Sequence, residues 1–154
     1  MSTPSKDLIE VESAIRTIIE TLIDSQEGFQ KIGDELKDEK LKLYFLAESL
    51  KRAEFRGDLE EILHQEGVHD IKESGTAAAT FTRIWGDLKS KLGGGDHALL
   101  ESAEAAEDEV KQAYSEALEK FLPEPIREVI IAQAGHVLAS HDYVKVSRDK
   151  LAQA

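Results

Sequence analysis

Apolar residues recur every three or four positions along most of this chain, which is the spacing of one face of an α-helix. In the N-terminal part they are Leu8, Val11, Ile15, Ile18, Ile19, Leu22, Phe29, Ile32 and Leu36. This repeat predicts a first helix at about residues 5–35. Asp38 can cap a second helix and Gly67 marks its end, so the second helix is predicted at about residues 38–66.

The next part of the chain has a different character. Residues 67–95 begin polar, and then Phe81, Ile84 and Trp85 predict a short amphipathic helix at about residues 76–91. A run of three glycines at residues 93–95 ends that helix. We expect its apolar side to pack against the rest of the protein or to face a partner, with Trp85 as the largest contact.

Two further long helices follow the glycines. Asp96 caps the first of them, predicted at about residues 96–122, and Pro125 suits the first turn of the second, at about residues 124–151. Their inward stripes are Leu99, Leu100, Ala103, Ala106, Val110, Tyr114, Ala117, Leu118 and Phe121, and then Ile126, Val129, Ile130, Val137, Val144 and Leu151.

The order of these elements predicts a single all-α domain over residues 1–154. Each pair of long helices has a short connection and must pack antiparallel, whereas the pairs are joined by a connection of about 30 residues. Two antiparallel hairpins joined by one long crossover are typical of a ferritin-like four-helix bundle.

Charge and composition narrow the functions that this fold could carry. The formal net charge of −12 disfavours binding to nucleic acid and to anionic membrane surfaces, because both are negatively charged. The absence of cysteine excludes disulfides, thiolate metal sites and cysteine nucleophiles. No apolar run is long enough to span a membrane, and no signal peptide is evident after Met1, so we expect a cytoplasmic protein.

Four polar residues on the inward stripes form a candidate site. Aligning each hairpin about its turn places Glu27 level with Glu48, and Glu107 within half a turn of His141. Three carboxylates and one imidazole suit a divalent iron, manganese or zinc ion. The sequence therefore predicts a metal site at Glu27, Glu48, Glu107 and His141.

A metal-free arrangement of the same region is the alternative hypothesis. Arg52 lies one turn after Glu48 on the same stripe, and Gln133 lies two turns before His141. Arg52 would repel a cation. Together with Glu48, Glu107, Gln133 and His141 it could instead form a buried network of salt bridges and hydrogen bonds. The other histidines (His64, His69, His97 and His136) are interpreted as surface or helix-end residues.

Four stretches resemble a known family. They are IIETLIDSQEGFQKIGDELKD at residues 18–38, LAESLKRAEF at residues 46–55, RIWGDLKSKLGGGD at residues 83–96, and the segment from LLESAEAAEDEVKQAYSEALEKFLP to SHDYVKVSRDKL. Together they are similar to a bacterial family of ferritin-like four-helix proteins, known mainly as a domain of unknown function. The resemblance covers about residues 7–151.

Ferritin-like proteins commonly hold two metal ions between one Glu from each of two helices and a Glu-x-x-His motif from each of the others. Glu27 and Glu107 resemble the single glutamates, with Glu104 as a rival to Glu107. Glu48 and His141 each resemble half of a motif. Lys51 stands where the second helix should have His, and Leu138 stands where the fourth should have Glu.

The resemblance implies a non-catalytic or weakly active bundle with a role in bacterial stress or in metal and redox homeostasis. One alternative is a metal-binding oxidoreductase or metal-storage protein that uses the four predicted ligands. Another is a protein–protein interaction module. A homodimer is the expected assembly, since isologous dimers are the commonest oligomers. The sequence identifies neither a substrate nor a reaction.

Overall fold

The computed structural model describes residues 6–66 and 95–153, and these residues form four α-helices. They are α1 at Lys6–Glu35, α2 at Glu39–Gln65, α3 at Gly95–Leu118 and α4 at Glu124–Gln153. No strand occurs in the described part of the chain, so the all-α prediction is confirmed. The short helix predicted at residues 76–91, and the crossover that contains it, lie outside the described residues.

The turn between α1 and α2 is fixed by two aspartates. Asp38 caps α2, since its carboxylate accepts a hydrogen bond from the Leu41 N–H at 2.9 Å. Asp96 in the first turn of α3 accepts from the backbone N–H groups of Lys37 and Asp38, both at 2.9 Å. The start of α3 is thereby attached to the hairpin formed by α1 and α2.

The third helix ends earlier than its apolar pattern predicts. It stops at Leu118 rather than near residue 122, and the N–H groups of Glu119 and Lys120 bond to carbonyls three residues back, as in a 3₁₀ turn. This change of pitch rotates Phe121 outward, so the prediction that it faces the core is wrong: it is 83% exposed. Leu122 turns inward instead.

The helices pack as two antiparallel hairpins, α1 with α2 and α3 with α4, and α1 also packs on α3. The predicted alignment of α1 with α2, in which Glu27 lies level with Glu48, is confirmed, because Ser49 Oγ donates a hydrogen bond to the Gln26 carbonyl at 2.9 Å. Gly33 permits the close approach of α1 and α2, since a Cβ there would lie only 2.9 Å from Leu46 Cδ2. None of the described helices has the length and apolar character needed to cross a membrane.

The apolar core consists of two separate clusters, one toward each end of the bundle. The first includes Ile15, Leu59 and Tyr114, whereas the second includes Phe29 and Phe45, whose rings meet edge to face at 5.1 Å. Between the two clusters, the inward positions of all four helices carry polar side chains. This polar layer contains the candidate site.

Candidate functional site

The centre of the polar layer is the guanidinium of Arg52, whose side chain is 0% exposed. Arg52 lies on the inward face of α2, one turn after Glu48 and seven residues after Phe45. Its Nη1 donates to Glu107 Oε1 at 2.7 Å and its Nη2 donates to Glu107 Oε2 at 2.9 Å. This bidentate pair joins α2 to α3 across the bundle, in the geometry in which arginine binds carboxylates most strongly.

The remaining contacts of Arg52 involve α1 and its own helix. Nε donates to Glu48 Oε1 at 3.3 Å, Nη1 also donates to Ser25 Oγ at 3.1 Å, and the guanidinium lies 4.9 Å from the centroid of the Phe29 ring. Burial alone would lower the pKa of Arg52, but the charges and hydrogen bonds of Glu107 and Glu48 together raise it above its usual value. The guanidinium is therefore a permanently charged, fully surrounded cation.

His136 brings the fourth helix into the layer. Its Nε2 lies 2.5 Å from Glu48 Oε1 and 3.0 Å from Glu48 Oε2, so a proton on Nε2 bridges the two side chains. The imidazole also packs edge-on against Phe55 at 5.2 Å, and the side chain is 36% exposed. Ser25, Glu48, Arg52, Glu107 and His136, here called the Arg52 network, thus connect all four helices.

The sequence interpretation missed His136, which was assigned to the surface. The signal that could have found it is its position between Gln133 and Ser140, three residues after one and four before the other, since both are buried. That spacing places His136 at the edge of the inward face. Aligning the two helices of each hairpin could not pair His136 with Glu48, because α2 and α4 belong to different hairpins and no turn joins them.

Two further polar contacts border the network. Tyr114 donates its hydroxyl to Gln133 Oε1 at 2.7 Å, and Gln133 Nε2 donates to the Phe55 carbonyl at 3.3 Å. On the other side, Tyr44 stacks on Tyr143 with ring centroids 4.1 Å apart. Burial raises the pKa of Tyr44 to about 12 and raises the pKa of Tyr114 further, so both hydroxyls stay protonated over the physiological range.

Of the four predicted ligands, the structure brings only Glu48 and Glu107 to one place, and Arg52 lies between them. The expectation that Glu27 faces inward is wrong, since its side chain is exposed. The inward residue at this level is Ser25. Glu27 lies two residues further along α1, a rotation of about 200° about the helix axis, so its side chain points away from the core.

His141 belongs to a different cluster, on the flank of the bundle where α3 meets α4. Its Nε2 lies 2.9 Å from Asp108 Oδ1 and its Nδ1 lies 3.2 Å from Asp142 Oδ1. Glu104 is 4.0 Å from the same Nε2 and is paired with Arg148. The hydrogen bonds of Gln133 go to Tyr114 and Phe55, and the ion pairs of His141 go to residues outside the Arg52 network, so neither joins the buried network in the way the sequence predicted.

The residues of the layer do not fit the paired metals that a ferritin-like fold implies. Within residues 6–66 and 95–153, no three His, Asp or Glu side chains converge in a way that could hold a metal ion. The physical reason is the guanidinium of Arg52, which lies between Glu48 and Glu107 and repels any second cation there.

An open groove between α2 and α4 connects the network with solvent. Its volume is about 420 Å³. It is lined by Lys51, Phe55, Asp58, Val129, Ala132, Gln133 and His136. Since His136 contacts Glu48, the groove is the route by which a small solute could reach the edge of the Arg52 network.

Residues 10–120 match the family described as "Domain of unknown function (DUF2383)", and the chain belongs to that family. The matched segment includes the Ser25, Glu48, Arg52 and Glu107 positions but ends before His136. No curated protein matches the chain.

Proposed function

We propose that this member of the DUF2383 family is a ferritin-like four-helix bundle that works without a metal centre, as a non-catalytic or weakly active protein of bacterial stress or metal and redox homeostasis. The ferritin-like layout is supported by two antiparallel hairpins and by the 28 residues of chain that separate Glu66 from Gly95. The physiological setting follows from the family resemblance in the sequence.

The observation that carries the metal-independent part of the proposal is the bidentate pair between Arg52 and Glu107. The di-metal redox chemistry of ferritin-like bundles needs several carboxylates free to bind metal. Here one carboxylate is fully engaged by a guanidinium, and the other is shared by the Arg52 Nε and His136. The geometry suits a rigid structural layer better than an oxidase or ferroxidase.

The test is the metal content of untagged protein purified without chelator, measured by mass spectrometry before and after incubation with Fe²⁺ or Mn²⁺. We expect well below one equivalent per chain, and no iron-dependent absorbance change on adding peroxide. A Glu48→Ala, His141→Ala double variant serves as the control. One or more equivalents in wild type, lost in that variant, would contradict the proposal.

A second candidate function, interaction with another protein chain, is favoured by the outer face of α2. Leu43 and Leu50 are 65% and 73% exposed, and Ala47 between them is small enough for a second helix to approach closely. Lys40 lies before this patch and Glu54 after it. A second copy bound antiparallel would bring Lys40 of each chain toward Glu54 of the other, so the patch suits a homodimer.

The dimer is expected to be weak, because two leucines and an alanine remove far less surface from water than the roughly 800 Å² per partner of a stable interface. Sedimentation velocity over a range of protein concentrations measures it. A Leu43→Gln, Leu50→Gln variant should lose the concentration dependence, whereas Leu138→Gln on α4 should keep it. A wild type that stays monomeric at every concentration rules out this interface.

A further inference from the structure

The groove between α2 and α4 has the features of a small-molecule site. We propose that it binds a small organic anion, in which one carboxylate is attached to a short apolar or aromatic body. The carboxylate lies between Lys51 and His136, and the apolar body lies against Phe55. The groove is on the solvent side of the Arg52 network and needs no metal, so this site is independent of the proposed function.

The groove follows from how the helices pack. In the described part of the chain, the backbones come close in three helix pairs, which are α1 with α2, α3 with α4, and α1 with α3. The helices α2 and α4 are bridged by side chains instead, through the contact of Glu48 with His136 and the stack of Tyr44 on Tyr143. Side chains that span the gap keep the two helices apart. The space left has a volume of about 420 Å³, which is within the range of small-molecule sites.

Apolar side chains line the middle of the groove on both helices. Phe55 comes from α2, and Val129 and Ala132 come from α4. Ala132 is too small to fill the space in front of the Phe55 ring. A ring or a branched hydrocarbon in this space would stack on Phe55 or meet it edge to face, and would be removed from water.

Two nitrogen-bearing side chains meet at the same ring. Lys51 Nζ lies 5.5 Å from the Phe55 centroid, and the His136 imidazole lies edge-on to Phe55 at 5.2 Å. Lys51 is paired with Glu54 at 3.6 Å, but these side chains are 40% and 61% exposed, and such pairs contribute little. The Lys51 ammonium can therefore exchange Glu54 for the carboxylate of a ligand, which forms a stronger, charge-assisted hydrogen bond in the partly dry groove.

Gln133 supplies a hydrogen-bond donor in the buried wall of the groove. The residue is 3% exposed, its Oε1 accepts from Tyr114, and its Nε2 donates to the Phe55 carbonyl. An amide nitrogen carries two hydrogens, and the second has no acceptor within residues 6–66 and 95–153. A buried N–H group that lacks an acceptor costs free energy. An oxygen-bearing ligand in the groove would supply that acceptor.

The acidic residues near the groove determine which end takes the carboxylate. Asp58 follows Lys51 by seven residues on α2, which places it about 10 Å further along the groove. Its charge repels a carboxylate from that end. Glu48 faces His136 from inside the bundle, where Arg52 already neutralises it. The end of the groove at Lys51 and His136 is therefore the favourable place for an anion.

The experiment is a titration of the ¹⁵N-labelled full chain with sodium benzoate, followed by two-dimensional ¹H–¹⁵N nuclear magnetic resonance. We expect saturable shifts of the Phe55 and Ala132 amides and of the Gln133 side-chain amide, with a Kd of about 1 mM. Benzamide has the same shape without the charge and should bind at least about fivefold more weakly. Acetate has the charge without the ring and should give no saturable shifts.

Five variants locate the binding site. Lys51→Gln should weaken benzoate binding at least about fivefold, whereas Lys145→Gln, at an exposed position of α4 outside the groove, should not change it. Ala132→Leu fills the groove and should abolish binding, whereas Ala105→Leu on α3 should not. Asp58→Asn should strengthen binding about twofold, because it removes a like charge at a distance. Circular dichroism checks that each variant is folded.

Each contrary result overturns the anion site. Wild type that shows no saturable shifts with benzoate has no such site, and benzamide that binds as tightly as benzoate excludes recognition of the charge. Binding that survives both Lys51→Gln and Ala132→Leu lies elsewhere on the protein. If Ala132→Leu does not fold, Lys51→Gln, at a partly exposed position, decides the question. None of these results depends on metal content, so failure of the anion site leaves the proposed function standing.

Discussion

Two clusters of charged side chains attach α3 to the rest of the bundle, and they differ in their access to water. The Arg52 network joins α3 to α1, α2 and α4 in the middle of the core, with both Arg52 and Glu107 0% exposed. The His141 cluster joins α3 to α4 on the flank, where Asp108 and Asp142 are mostly exposed. Both contain an arginine, a histidine and several carboxylates, so composition alone does not distinguish them.

Burial makes similar contacts differ in energy. On the flank, the side chains of Arg148 and Glu104 are 26% and 15% exposed, so water weakens their attraction in part and would partly solvate either partner if the other were removed. In the core, water reaches neither Arg52 nor Glu107. Arg52 also donates to Glu48 and Ser25, whereas both oxygens of Glu107 bond to Arg52, so Glu107 depends on this pair most. We therefore expect the core network to determine the relative positions of the helices and the flank cluster to contribute less.

The largest effect should come from Arg52→Ala. This change leaves Glu107 without its bidentate partner in the core, whereas Glu48 keeps its contact with His136, and breaking a buried pair in this way costs about 3–5 kcal/mol of unfolding free energy. Urea unfolding followed by far-ultraviolet circular dichroism measures it. Arg148→Ala, which breaks the flank pair with Glu104, is the control and should leave the midpoint close to wild type. Equal losses in the two variants would refute the distinction between the clusters.

A smaller effect should follow from Glu107→Gln, which keeps the shape of the side chain and removes its charge. The variant loses a bidentate, charge-assisted pair but retains one hydrogen-bond acceptor, so we expect a loss of about 2–3 kcal/mol. Glu104→Gln on the same helix is the matched control. If Glu104→Gln destabilises the protein as much as Glu107→Gln, the flank cluster contributes more than its exposure suggests.

The pH dependence of the unfolding free energy should report on the burial of Tyr44 and Tyr114, the two tyrosines beside the Arg52 network. The pKa of Tyr44 is raised by burial to about 12 in the folded state, whereas that of an unfolded tyrosine is near 10. The neutral ring therefore contributes its full stability below about pH 10, and this contribution is lost as pH rises from about 10 to 12. Tyr114, whose pKa is also raised by burial, adds to the same loss.

Tyr44→Phe should make the decline in unfolding free energy above pH 10 less steep, because one group that must ionise on unfolding is gone. Urea titrations at several pH values between about 8 and 11 measure the slope. A Tyr44→Phe, Tyr114→Phe double variant should flatten it further. An unchanged slope in the double variant would mean that the rings have the same access to water as in the unfolded chain.

The smallest effect should be that of salt on the two arginine–glutamate pairs. Double-mutant cycles for Arg148 with Glu104, and for Arg52 with Glu107, give the coupling energy of each pair. Raising the NaCl concentration should weaken the coupling on the flank and leave the coupling in the core nearly unchanged, since ions screen only charges that they can approach. A salt-sensitive core pair would show that the network is open to solvent.

The local part of this structure followed from the sequence. The spacing of apolar residues predicted all four described helices, and the N-cap role of Asp38 was confirmed. The prediction failed at the end of α3, where Phe121 continues the apolar pattern although the chain has already left the α-helix. An apolar side chain satisfies a periodic pattern whether or not the backbone hydrogen bonds continue, so periodicity alone could not place that end.

The sequence by itself also placed Glu48, Arg52 and Glu107 on inward faces, because helical periodicity is a property of each segment alone. Only the tertiary structure decided which of them meet. Arg52 and Glu107 are 55 residues apart, and Glu48 and His136 are 88 apart, in helices that no tight turn connects. Their contact depends on how each helix is rotated about its axis when the two apolar clusters pack. That rotation put Ser25 and His136 in the layer, and left Glu27 in solvent and His141 on the flank.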